Sequence, residues 1–276
     1  DLGGGVPQRL TTSPGGTTGP RWSPDGTQIA FESSRGGSSD LWVVPADGGT
    51  PRQVTTHDAR DVSPLWSPDG ATLAFLSNRE DDVSEVWLIP VAGGEARRLT
   101  TQGASRPQWS PDGEDIVFHS SAGADAQMQV WRVPAAGGTA EPLTAGGYTA
   151  QAEYAPDGRA LAYQRHDGVG FDIYVMPATG GAATRLTMDD DDESSPRWSP
   201  DGSRVAFLSG TTNGRSLHVM PAAGGKTTRL TDPTGTVSGY EWLPDGSGLI
   251  YALAEGRANI WRAEIGALLP GGAREP

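Results

Sequence analysis

One short motif constrains this chain more than anything else in it. WSPDG, or a close variant, begins at Trp22, Trp66, Trp109, Tyr154, Trp198 and Trp242, at intervals of 44, 43, 45, 44 and 44 residues. Six copies at one period mark a repeat architecture, built from one supersecondary unit used over and over.

The unit is legible in its second copy. Pro64 to Ser67 reads as a short strand, and Ser67-Pro68-Asp69-Gly70 as the turn that follows. Proline presets φ at the second turn position, and glycine accepts the left-handed conformation that closes a tight hairpin. Thr72 to Leu76 is an apolar strand, Ser77 to Ser84 a polar loop, and Glu85 to Pro90 a third strand carrying Trp87. The turn over Val91 to Glu95, with its Gly93-Gly94 pair, leads to a fourth strand ending at Leu99-Thr100. Four antiparallel strands in roughly 40 to 50 residues describe a propeller blade. The pattern therefore predicts an all-β, six-bladed β-propeller of four-stranded antiparallel blades.

The ends suggest how the ring closes. Gly4 to Thr11 reads as a fourth strand without its first three, and Asn259 to Arg262 as a third strand without a fourth. Residues 4–11 are expected to complete the sixth blade, which would remove exposed sheet edges. Residues 1–266 are then one domain, and the Gly/Pro-rich segment 267–276 a frayed tail. A length of 276 residues suits one closed all-β domain, and 39 glycines with 22 prolines suit many tight turns.

Composition narrows the partners. With 21 basic and 34 acidic residues the formal charge is −13, which disfavours nucleic acid and anionic lipid alike. No apolar run approaches 18 residues, so no membrane insertion is expected. Cysteine is absent, which removes disulfides and thiolate metal sites. A monomer is expected.

The units WSPDGTQIAFESSRGGSSDLWVVPADGGTPRQVT and WSPDGSRVAFLSG, the latter continued by LHVMPAAGGKTTRLT, resemble the propeller repeat of the TolB family. The resemblance runs from Leu10 to about Trp261. The same kind of repeat builds the propellers of prolyl oligopeptidase and dipeptidyl peptidase relatives. TolB belongs to the periplasmic Tol–Pal envelope system, so the resemblance implies a non-catalytic binding platform, engaging a protein segment or small ligand at the acidic loop rim and channel mouth, in a periplasmic or secreted setting. The α/β domain that precedes the TolB propeller has no counterpart here, nor has the G-x-S-x-G elbow of the peptidases. Two alternatives stay open: a polysaccharide lyase or glycosidase acting at the channel mouth, and an accessory propeller excised from a peptidase.

The repeat itself separates scaffold from candidates, because a residue type that recurs at one register serves the blade. All nine tryptophans recur in this way and are expected to pack between neighbouring sheets. Three aromatics depart from the register: Tyr148, Phe171 and Tyr240. They are assigned to loops on one rim, opposite the PDG turns, where binding residues commonly sit.

The position before each first-strand aromatic reads Arg21, Leu65, Gln108, Glu153, Arg197 and Glu241. Arg21 with Glu241, and Glu153 with Arg197, are expected to form cross-blade ion pairs or a polar-ligand site. Glu32, Glu153 and Glu241 are the carboxylates a glycosidase would draw on. His57, His119 and His166 are further candidates, and a three-histidine metal centre would require them to converge. His218 falls on the aromatic register and reads as scaffold.

The run Asp189-Asp190-Asp191-Asp192-Glu193 is the densest charge feature. No cofactor is required, and Ca²⁺ is the ion these carboxylates suit, although the spaced D-x-D-x-D-G pattern is missing. With Asp58, Asp61, Glu80, Asp81 and Asp82 the run makes the rim acidic, so a protein or peptide docking there would be basic or amide-rich.

Overall fold

The PDG turns form as the sequence predicts. In the second copy the Gly70 amide donates to the Ser67 carbonyl at 2.8 Å, with Gly70 at φ +70°. Asp69 accepts from Ser67 Oγ at 2.5 Å and from the Ala71 amide at 3.0 Å. The arrangement repeats at Asp25, Asp112 and Asp201. The serine hydroxyl, followed by the backbone amide, holds these carboxyls below their usual range, to about 2 for Asp201.

The computed structural model describes residues 9–12, 15–80, 82–123, 126–188, 191–211, 214–231, 235–255 and 257–265. Its strands lie in six successive antiparallel sheets. The first is β1 (Thr17–Trp22), β2 (Gln28–Ser33), β3 (Asp40–Pro45) and β4 (Arg52–Gln53); the second is β5 (Asp61–Trp66), β6 (Thr72–Ser77), β7 (Glu85–Pro90) and β8 (Arg97–Arg98). The third holds β9 (Ser105–Trp109), β10 (Asp115–Ser120), β11 (Gln129–Pro134) and β12 (Glu141–Pro142). The fourth holds β13 (Tyr148–Tyr154), β14 (Ala160–His166), β15 (Phe171–Pro177) and β16 (Thr184–Arg185). The fifth holds β17 (Glu193–Trp198), β18 (Arg204–Thr211), β19 (Gly214–Pro221) and β20 (Thr228–Arg229). The sixth has three strands among the described residues, β21 (Thr236–Trp242), β22 (Gly248–Glu255) and β23 (Arg257–Glu264). Six such sheets are the blades of a β-propeller. The latch expected over residues 4–11 falls largely outside the described residues, as does the tail 267–276. No described helix is long and apolar enough to cross a membrane.

Packing groups the chain into two compact units, residues 1–123 with 131–141, and residues 124–130 with 142–276. In unit one, Leu73, Phe75, Trp87 and Ile89 pack with Ala30, Leu41 and Val43. In unit two, Ala162 and Ile173 pack with Val205, Phe207 and Met220, while Leu208, Leu217 and Val219 pack with Val237, Leu249 and Leu253. Each large side chain buried in this way contributes about 1.5–3 kcal/mol.

Two polar devices repeat through these apolar layers. The threonine that ends each of the first four repeats accepts a backbone amide and donates to a buried side chain at the start of the third strand. Thr55, Thr100, Thr144 and Thr187 serve Asp40, Glu85, Gln129 and Asp172. The first-strand tryptophan reaches back to the preceding blade. Trp66 Nε1 donates to the Arg21 carbonyl at 3.0 Å and Trp109 Nε1 to that of Leu65 at 3.3 Å. In unit two Trp198 reaches Glu153 at 3.1 Å and Trp242 reaches Arg197 at 3.2 Å.

Two tryptophans do not follow the expected packing. Trp22 is 61% exposed and Trp261 47%. Trp22 lies on β1, in the first sheet along the chain. Trp261 lies on β23, the outermost described strand of its sheet.

Candidate functional site

Each first strand of the first five sheets carries a register shift against its neighbour. Gly19, Ser63, Arg106, Gln151 and Ser195 there sit at φ between +48° and +60°. Such bulges re-aim the side chains that follow. The residues two places on are Arg21, Leu65, Gln108, Glu153 and Arg197, the series singled out in the sequence.

In unit two the expected pair forms. Arg197 Nη1 meets Glu153 Oε2 at 3.4 Å, with the side chains 44% and 19% exposed. Burial, opposed by Arg197 and reinforced by Glu241, raises the Glu153 carboxyl to about 7. Arg21 belongs to unit one and is exposed, its carbonyl taken by Trp66, so its expected partnership with Glu241 stays a proposal. Glu32 serves the backbone: Oε1 accepts the Ser63 amide at 2.8 Å and Oε2 accepts Thr18 Oγ1 at 3.2 Å.

The loop end of the fourth sheet brings other candidates together. Tyr148 opens β13, His166 closes β14 and Phe171 opens β15, and the three are direct neighbours across the sheet. Their rings meet edge to face, Tyr148 with Phe171 at 6.0 Å and His166 with Phe171 at 5.0 Å between centroids. The acidic run touches this cluster, because Asp192 Oδ1 accepts the Phe171 amide at 3.0 Å. Asp191 and Asp192 are exposed, and Asp167 in the adjoining loop is paired with Arg185 at 3.4 Å. Tyr148 is 39% exposed, and Met188 and Val169 in the flanking loops are 76% and 91% exposed. Val169 and Met188 are not among the candidates that the register picks out. The available signal was an apolar residue between two loop glycines, Gly168-Val169-Gly170, and another at the head of the acidic run.

Other candidates are placed differently from expectation. Tyr240 is not a rim residue but a core residue of β21, 8% exposed. Its hydroxyl donates to the carbonyls of Ser195 and Ala206, the latter at 2.9 Å. Burial, chiefly, raises that hydroxyl well above its ordinary value. His119 lies inside β10 at 3% exposure, and burial, aided by Arg106, lowers its imidazole to about 4. His57 is exposed, with Nδ1 accepting the Ala59 amide at 3.0 Å.

Asp61 is buried against Arg79 and does not contribute to an acidic rim. Glu193 turns inward at 0% exposure and accepts Ser209 Oγ at 2.9 Å, so burial removes it from the proposed Ca²⁺ ligands. Asp189 and Asp190 lie outside the described residues. Among the described residues no group of three or more histidine, aspartate or glutamate side chains is placed to hold a metal ion.

Residues 38–170 match the family model described as the Tricorn protease N-terminal β-propeller domain. A structure described as a TolB from Agrobacterium tumefaciens superposes with TM-score 0.63 at 26% identity, covering 80% of this chain and 82% of that one. TolB from Acinetobacter baumannii superposes with TM-score 0.61 at 23% identity over 84% of this chain, which spans 58% of that protein. An oligogalacturonate lyase in complex with manganese superposes with TM-score 0.69 at 14% identity, covering 85% of this chain and 70% of that one, and shows the fold alone. No curated protein matches the sequence. The chain is a β-propeller whose similarity to known structures includes those of TolB.

Proposed function

We propose that this propeller is a binding platform, and that the loop end of its fourth sheet takes up a basic or amide-rich protein segment. The observation that carries the reading is the convergence of Tyr148, His166 and Phe171 on one exposed edge, with Asp192 bonded to the Phe171 backbone. An aromatic face flanked by carboxylates suits an arginine or lysine side chain, through cation–π attraction and charge together. The exposed Met188 and Val169 add apolar surface for the neighbouring residues of such a segment. Similarity to TolB supports a protein partner, and a periplasmic or secreted setting belongs to the same reading.

The test is titration of fluorescent peptides of basic, amide-rich and acidic composition into the full chain. Basic and amide-rich peptides are expected to bind, and Tyr148→Ala or Phe171→Ala to weaken them about tenfold or more, as loss of an aromatic anchor does. Binding should also weaken with added salt. Equal affinity for acidic peptides, or no effect of either substitution, would overturn the proposal.

A further inference from the structure

A groove lies within unit one, between the second and third sheets at the end that carries the PDG turns. It has a volume of about 470 Å³, within the usual size range for small-molecule sites. Leu88, Ile89 and Trp109 give it an apolar floor, and Asp69, Glu95 and Asp112 lie on its rim.

The repeat explains why the groove is open here. Arg52 Nη2 donates to the Val91 carbonyl at 2.6 Å, and Arg97 Nη2 donates to the Ala135 carbonyl at 2.6 Å. Each acceptor follows the proline that ends a third strand, so Val91 and Ala135 hold one position in successive repeats. Between the first two sheets Val91 packs with Trp66 and Ile89, and Trp66 is 8% exposed. Between the second and third sheets alanine takes the place of valine, and Trp109 is only half-buried. Two methyl groups fewer leave space beside an indole.

The charges around that space favour a cation. Asp69 and Asp112 hold their own turns through Oδ1, which accepts a serine hydroxyl and a backbone amide. The hydroxyl, followed by the amide, keeps both carboxyls below their usual range and therefore ionised. Glu95 stands where the first repeat has Thr50, and it is exposed. Against these three carboxylates the groove has one guanidinium, Arg97, whose Nη2 is committed to the Ala135 carbonyl. A cation beside tryptophan gains from the ring quadrupole as well as from the carboxylates. An aliphatic body attached to it leaves water for the apolar floor.

We infer that this groove binds a free aliphatic amine in its ammonium form. The charged end would be held by Asp69 and Asp112 beside Trp109, and the chain would lie against Leu88 and Ile89. No residue of the aromatic edge on the fourth sheet takes part.

The experiment is calorimetric titration of the full chain with hexylamine, hexanol, hexanoate and ethylamine near pH 7, where the amines are protonated. Hexylamine is expected to bind. The other three, which lack the charge, reverse it or lack the chain, should bind about tenfold or more weakly. Asp112→Asn keeps an oxygen for the serine and the amide while removing the charge, and should weaken hexylamine binding severalfold. Ala135→Val is the stricter test, because the preceding groove already accommodates valine at that position. That variant should melt no lower than the parent and fail to bind hexylamine. Absence of hexylamine binding to the parent at millimolar concentration, equal binding of hexanol or ethylamine, or unchanged binding by either folded variant would overturn the inference.

Discussion

Replacing Asp61 by alanine is expected to destabilise unit one by about 3–5 kcal/mol, the range for stranding one member of a buried ion pair. Asp61 is fully buried and accepts Arg79 Nη2 at 2.7 Å. The guanidinium is sealed by aromatic rings, 4.6 Å from the Trp87 centroid and 5.3 Å from that of Phe75, and Nε donates to Ser77 Oγ at 3.1 Å. Without Asp61 the cation keeps its burial and loses its counter-charge. Urea unfolding followed by tryptophan fluorescence reads the change directly. A loss below about 1 kcal/mol would show that Arg79 finds water instead.

The first sheet contains the same arrangement with the acid missing. Arg35 lies 4.5 Å from the Trp42 centroid and 5.3 Å from that of Phe31, and its Nε donates to Ser33 Oγ at 3.0 Å. Thr17 pairs with Ser33 as Asp61 pairs with Ser77, and Arg35 Nη2 is buried without a hydrogen-bond partner among the described residues. Thr17→Asp is therefore expected to stabilise the protein by about 1 kcal/mol, the scale of a charge-assisted bond at a part-exposed position. A higher urea midpoint at unchanged slope is the expected result.

The second large effect depends on pH. The Glu153 carboxyl rises from an ordinary 4.5 to about 7 in the folded chain, burial being the main cause. Between those values the folded chain holds a proton that the unfolded chain has released. The stability tied to this group is thus fully present below pH 4.5 and is lost as pH rises through 7. The gap corresponds to about 3 kcal/mol. Glu153→Gln removes the titration while keeping the shape, so the variant should overtake the parent in stability between pH 5 and pH 8.

His119 has the opposite sign. Its stabilising share is present above pH 6.5 and is lost as pH falls through about 4. The difference between parent and variant isolates Glu153, because His119 contributes equally to both. Parallel stability curves for the two proteins across pH 5 to 8 would refute the assignment.

Much of this is legible in the sequence. The 44-residue period, the PDG turns and the four-strand unit led to the sheets observed, because turn chemistry and alternation are local properties of the chain. The departures from register led to Tyr148, Phe171 and His166, which do meet at one sheet end. The same filter failed at Tyr240, where a tyrosine in a proline register turned into the core and found two carbonyls.

What the sequence by itself determined is the blade: its strands, its turns, its tryptophan ladder and the surplus of negative charge. What only the tertiary structure decided is the environment of single side chains. Asp61 and Glu193 read as members of an acidic rim yet are buried, while Asp192 lies exposed against the aromatic cluster. Glu153 and Glu241 occupy one register, but burial raises the first and leaves the second open to solvent. The physical reason is that burial and pairing depend on strands about 40 residues apart in sequence, whereas turns and periodicity are written within a few residues.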